Sequence, residues 1–219
     1  MSWLARLEVD AVIALAEGIR DSYDWHKRLW DCFPNVPDQK RTEIGFLTRI
    51  DTLERAFRLW VLAKRTPVCP RWCSPDGFAL NEIADSFLTH RYYAFDLRAN
   101  PVKTIVQRGS NGETLFRANG KRKCGKRVPL VKTEELRSWL DRKTASGGFK
   151  IVEVKPLEIA PMVESHFYKK GQSAYHGGVQ FRGVLEVIAP VQFSKTYYTG
   201  IGSAKGFGFG LMLLAPIKL

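Results

Sequence analysis

An α+β fold of two tandem ferredoxin-like units (βαββαβ, RRM-like) is what this sequence predicts, and three observations carry the prediction. Short runs with strand patterning alternate with helical stretches. The order β-α-β-β-α-β can be followed along the chain once clearly and once in part. The 219 residues suffice for two small domains.

Residues 2–9 alternate in polarity and predict a strand. Asp10 follows as a helix N-cap. Val12, Ala16, Ile19, Tyr23, His26, Trp30 and Phe33 then recur at steps of three and four, the pattern of one helix face. Pro34, Asn35 and Pro37 end that helix. Two strands are expected at 43–50 and 56–63, and a Pro-rich loop at 66–77. Residues 78–88 fit a short helix or a strand equally, and the domain boundary falls near 88. The first domain is thus 1–88 and the second 89–219.

The second half predicts a strand at 91–97 and a Gly- and Lys/Arg-rich hairpin or loop at 109–127. A helix at 133–143 follows, with Thr133 as N-cap and Glu135 in its first turn. Strands are expected at 149–159 and 179–188, a short helix at 191–198, and a closing strand at 207–214.

Composition narrows function. The 45% hydrophobic content suits a folded chain, and no stretch approaches the roughly 18–20 apolar residues that span a bilayer. Met1-Ser-Trp-Leu-Ala-Arg-Leu-Glu lacks a basic segment followed by an apolar one, so no signal peptide is expected and the cytoplasm is the expected location. The net charge of +12 attracts polyanions, and with no membrane segment nucleic acid is the leading partner. Cys69-Pro-Arg-Trp-Cys73 lacks the second close pair that a structural zinc site uses, so Cys32, Cys69, Cys73 and Cys124 are expected as free thiols, with no metal and no cofactor.

The segment Gly200-Ile-Gly-Ser-Ala-Lys-Gly-Phe-Gly-Phe-Gly210 carries five glycines and one cation, Lys205. A dinucleotide fingerprint needs a strand before its glycines and a helix after them, and here the order is reversed. No Gly-Lys-Ser/Thr closes a phosphate loop. Backbone amides near a phosphate and a tight helix-to-strand packing turn both remain open.

Four stretches taken in order are more specific. The tail combines Val179-Gln-Phe-Arg-Gly183 with the glycine segment and Leu211-Met-Leu-Leu-Ala-Pro216. Upstream lie Tyr23-Asp-Trp-His26-Lys-Arg-Leu-Trp-Asp-Cys-Phe-Pro34, Phe95-Asp-Leu-Arg-Ala-Asn-Pro101, and Gly125-Lys-Arg-Val-Pro-Leu130 followed by Trp139-Leu140 and Arg142-Lys143. Together they resemble the CasE family, the CRISPR repeat-processing endoribonucleases of type I-E systems within the RAMP superfamily. The resemblance implies a metal-independent endoribonuclease that cuts repeat hairpins in precursor crRNA by 2′-OH attack. It leaves a 2′,3′-cyclic phosphate and a 5′-OH, and stays with the crRNA and the other Cascade subunits. It places the catalytic histidine and tyrosine at His26 and Tyr23. The family's helix also supplies a lysine further on. Here Trp30 and Asp31 occupy the next turn, which leaves Lys27, with Arg28, as the nearest cation. Ser146 is a further candidate phosphate contact.

Histidine suits this chemistry because its unperturbed pKa near about 6.5 lets it take or give a proton at neutral pH. His26 also lies in phase with the apolar stripe, where a histidine can be a core residue. For RNA binding, Lys121-Arg-Lys-Cys-Gly-Lys-Arg127 places five basic residues in seven, so Lys121, Arg122, Lys123, Lys126 and Arg127 are candidates. Arg98, Lys103, Lys155, Lys195, Lys205, Gly200 and Gly202 extend the expected surface. The alternatives are a non-catalytic RNA-binding RAMP subunit and a general RNA-binding module.

Overall fold

The computed structural model describes residues 1–37, 45–120, 122–161, 165–169 and 172–219. Its frame is two four-position antiparallel sheets of the same order. The first is β2-β3-β1-β4, from β1 (Ser2–Asp10), β2 (Leu47–Thr52), β3 (Ala56–Ala63) and β4 (Phe78–Ile83). The second begins at β5 (Tyr92–Ala99), and its order is β13-β5-β12-β8, with β12 (Val179–Val187) and β13 (Met212–Ile217). Its outer position is shared by β8 (Phe149–Val152) and β9 (Glu158–Pro161), which pair with successive halves of β12. The expected single strand at 149–159 is therefore broken by a turn. Both sheets have the ferredoxin-like order, in which the first strand sits inside beside the third.

The ambiguous 78–88 segment resolves as β4 followed by a 3-10 turn over Asp85–Leu88. In the second unit α3 (Thr133–Gly147) and α4 (Pro190–Thr199) complete βαββαβ. Among the described residues the α-helices of the first unit lie between β1 and β2, and a loop with a 3-10 turn (Pro75–Gly77) stands where its second helix would be. The hairpin of β6 (Val102–Val106) and β7 (Cys124–Pro129) inserts before α3, and that of β10 (Ser165–Lys169) and β11 (Gln172–His176) before β12.

The long first helix of the sequence reading is two helices. Asp10 does cap α1 (Ala11–Ala16), accepting from the Val12 amide. That helix stops at Glu17, with Gly18 at φ +74. Asp21 then caps α2 (Ser22–Arg28), accepting from the Tyr23 and Asp24 amides at 2.8 and 2.9 Å. The restart resets the helical phase. Val12 and Ala16, expected inside, are exposed, while Ile19, Trp30 and Phe33 are buried. Thr133 is also not an N-cap: it is already helical, and Lys132 stands in the cap position without a side-chain hydrogen bond. The closing strand starts at Met212 rather than 207, because the glycine segment does not extend.

Strand alternation gives the first sheet two buried faces. Ala5, Leu7, Val9, Leu59 and Val61 meet Trp25 of α2 and Leu29 just beyond its end. Leu4, Leu47, Trp60 and Leu62 face the core of the second domain, with Tyr93, Phe95, Trp139, Phe181 and Phe193. An ion lattice crosses the same boundary. Arg49 on β2 bonds Asp51 and, on β5, Asp96, each at 2.9 Å. Arg98 on β5 reaches back to Asp51 at 2.7 Å and donates to the Ile50 carbonyl. Among the described residues no helix is long and apolar enough to cross a membrane.

Candidate active site

Trp25 fixes the rotation of α2. It is buried against Phe57 and Trp72, at ring separations of 5.3 and 5.9 Å. Trp72 in turn donates from Nε1 to Asp31 at 2.9 Å. With Trp25 inward, Tyr23 and His26, one turn apart, share the side that faces the second domain. What they meet there is the glycine segment. Phe207 stacks on Tyr23 at 6.2 Å and 27°, and on His26 at 6.5 Å and 26°. Phe46 and Trp30 also lie against the imidazole, at 5.7 and 6.3 Å.

The glycine segment reaches this position because its ends are tied and its middle is thin. The Gly210 amide donates to the Arg98 carbonyl at 2.7 Å, and the Ile201 amide to the Gly210 carbonyl at 2.9 Å. Gly200 has φ +73, and a Cβ there would lie 2.8 Å from a Leu47 methyl. At Gly210, φ is +89 and a Cβ would lie 2.8 Å from the Ile201 carbonyl oxygen. A side chain at either position would be both strained and in collision. Gly202 packs on Trp139. The segment is thus a packing turn, and it also carries Phe207 to Tyr23 and His26.

The candidate cations divide. Lys27 bonds Asp24 at 2.7 Å and lies 4.9 Å from the centre of the Tyr23 ring, so it borders the site. Arg28 is turned toward Glu17 and Asp31. Lys205 folds back to donate to the Thr199 carbonyl. Burial, and then the nearby Lys143, push its ammonium below the ordinary value. Lys143 lies 5.8 Å from the centre of the Trp139 ring, on which Gly202 also packs. Ser146 lies in the last turn of α3 and donates to the Lys143 carbonyl, while its own carbonyl accepts from Gln192. Those contacts face α4, and no contact joins Ser146 to His26 among the described residues.

Arg98 lies at the seam between the two sheets. Its side chain is 16% exposed and engaged with Asp51 and Ile50, because the pleat aims it at the first domain. Asp96 sits beside it. Burial opposes its ionisation, but hydrogen bonds from Arg49, Gln180 and Arg182 outweigh that and hold its carboxyl below the ordinary value. Arg122, Lys123, Lys126 and Arg127 are exposed along the β6–β7 hairpin, and Lys103 bonds Glu135 at 2.7 Å at its base. Lys155 is exposed in the turn between β8 and β9, and Lys195 on α4. Lys121 lies outside the described residues. A partly open cavity of about 180 Å³ separates the hairpin base from the glycine segment, lined by Asn100, Arg127 and Ser203 among others. Cys32, Cys69 and Cys73 are free thiols, and burial pushes Cys73 up to about 11 and Cys32 up to about 12.

Residues 2–216 match the family model described as CRISPR associated protein. The CRISPR system Cascade subunit CasE of Escherichia coli K12 is 31% identical over 198 residues, covering 90% of this chain and 94% of that protein. The CRISPR-associated endoribonuclease Cse3 of Thermus thermophilus is 26% identical over 229 residues, covering 98% and 100%. The crystal structure of Cas6e from Escherichia coli K-12 superposes with a TM-score of 0.68 at 25% identity, covering 99% of this chain and 100% of that one. The fold is also that of Cse3 bound to a 19-nucleotide RNA, with a TM-score of 0.70 at 23% identity over 98% and 99% of the two chains.

Proposed function

This chain belongs to the CRISPR-associated CasE family, and on that premise we propose that it is an endoribonuclease that cuts the repeat hairpins of precursor crRNA and stays with the product as a Cascade subunit. The likeness to CasE and Cse3 over nearly the whole chain supports the reading. The observation that carries its chemistry is the stacking of one ring, Phe207, on both Tyr23 and His26. This gathers a proton-transfer group and a phenol at the junction of the two domains.

The reaction uses the substrate's own nucleophile. The ribose 2′-oxygen bonds to phosphorus and the bond from phosphorus to the 5′-oxygen breaks. One proton leaves the 2′-OH and one must reach the departing 5′-oxygen. His26 serves one of these transfers. The Tyr23 hydroxyl hydrogen-bonds the phosphate or orients the ribose, and Lys27 offsets the charge that develops on the phosphate oxygens. Residues 1–88 form the domain that carries this helix. Residues 89–219 form the domain whose exposed hairpin cations, Arg122, Lys123, Lys126 and Arg127, hold RNA phosphates. A chain that works on a transcript within Cascade acts in the cytoplasm.

The test is cleavage of the cognate repeat hairpin in EDTA, resolved on a denaturing gel. Wild-type protein is expected to give one cut, with a 5′-OH and a 2′,3′-cyclic phosphate. His26→Ala should lose about 10²–10⁴-fold in rate. A 2′-deoxy group at the scissile nucleotide should abolish the cut. Tight hairpin binding without any product would leave a purely structural RNA-binding subunit.

A further inference from the structure

Phe207 belongs to the second domain and His26 to the first, yet their rings lie nearly parallel, 26° apart. The loop that presents Phe207 is fixed at several points. Its far end is tied by the Gly210 amide to β5, and the Phe207 amide donates to the Ala204 carbonyl at 2.9 Å. Next to it, Gly208 sits on Ile50, where a Cβ would lie 3.3 Å from the Ile50 Cδ1. Ile50 in turn accepts a hydrogen bond from Arg98 through its carbonyl. Phe207 therefore has little freedom to move relative to α2. On the other side, Trp25 fixes the helix. The imidazole meets the loop backbone as well, since a Cβ on Gly206 would stand 3.4 Å from His26 Cε1.

We infer that Phe207 is a positioning residue: its ring sets the plane of the His26 imidazole and the pose of Tyr23, and so completes the site from across the domain boundary. The inference rests on the role proposed for His26. An imidazole that rotates about its side-chain bonds presents its nitrogens in the wrong directions for much of the time. A flat neighbour at stacking distance restricts that rotation, as aromatic pairs with centroids about 4.5–7 Å apart do. Misplacement of a reacting group by about 1 Å can cost about 10²-fold in rate. Gly206 has a matching role. A methyl there would touch the imidazole at ordinary contact distance, whereas a branched side chain would displace it.

The experiment compares Phe207→Leu, Phe207→Tyr, Gly206→Ala and Gly206→Val in the full chain. The readouts are single-turnover cleavage of the cognate repeat hairpin, hairpin affinity, and the His26 Hε1 resonance without RNA, identified by its loss in His26→Ala. Phe207→Leu is expected to slow cleavage by about tenfold or more with affinity within about twofold of wild type. It should also shift the Hε1 resonance as the ring current is lost. Phe207→Tyr should restore most of the rate, and Gly206→Val should slow cleavage more than Gly206→Ala. A wild-type rate in Phe207→Leu would overturn the inference. So would a loss of affinity equal to the loss of rate, which would make Phe207 an RNA contact. Full activity of His26→Ala would instead remove the role proposed for His26. The resonance shift reads the ring's placement independently of that outcome.

Discussion

Arg98 and Arg127 stand on strands of the same domain, and both read as phosphate contacts in the sequence. Their surroundings separate them. Arg98 lies in the lattice that joins β2 to β5, with Asp51 at 2.7 Å and the Ile50 carbonyl beside it. Arg127 lies on an exposed hairpin at the rim of a cavity. A guanidinium between two packed sheets must keep its carboxylates, because an unpaired buried charge is costly. One on a hairpin remains hydrated and can release counterions when a phosphate arrives. Equal residue types thus divide into one that joins two sheets and one that stands in solvent, according to what the pleat aims them at.

Four measurements test that contrast. The largest effect is expected from Asp96→Asn. It leaves Arg49, 5% exposed, without one of its two carboxylates, and should lower stability by about 3 kcal/mol in urea denaturation. Hairpin affinity of the folded fraction should be unchanged. Next is the pH dependence of the same group. The Asp96 carboxyl titrates below its unfolded value of 3.8, so its contribution is complete above that value and is lost as pH falls through the lower folded value. The difference in stability between wild type and Asp96→Asn should be constant above about pH 4 and shrink as pH falls below it. Convergence at neutral pH instead would show that the lattice is not the joint.

The hairpin should behave in the opposite way. Replacing Lys123, Lys126 and Arg127 together by alanine should weaken hairpin binding by about tenfold and make its salt dependence shallower by about 2 in the log–log slope. Its melting temperature should stay at the wild-type value. A large drop in melting temperature would show that these cations are structural as well. The smallest effect is expected at the hairpin base, where Lys103→Ala removes one exposed pair with Glu135. No measurable change in melting temperature is expected there.

Much of this was legible in the sequence, and the reasons are local. Strand alternation gave β1, β3, β5 and β12 their places to within a few residues, because period-2 burial is set by the pleat. Asp10 was readable as a cap because its side chain acts two residues away. The first helix was misread as continuous, because steps of three and four persist across a break that Gly18 and Asp21 create. Phe207 stands amid glycines that share no apolar pattern with it. Nothing in the local pattern distinguishes an aromatic that packs on its own domain from one that packs on another. The same holds for Asp51 and Asp96, ordinary polar residues on strands until the two sheets face each other.

The clearer strands, the charge, the family likeness and the candidacy of Tyr23 and His26 were readable from the chain alone, since each is a matter of one segment's pattern or of the summed residues. Which cations are exposed followed from the folded structure. Only it brought Phe207 from near the end of the chain onto His26 near its beginning. The reason is physical. Burial and stacking across a domain boundary depend on how two sheets dock, and docking is set by all the contacts of both faces together, not by any segment alone.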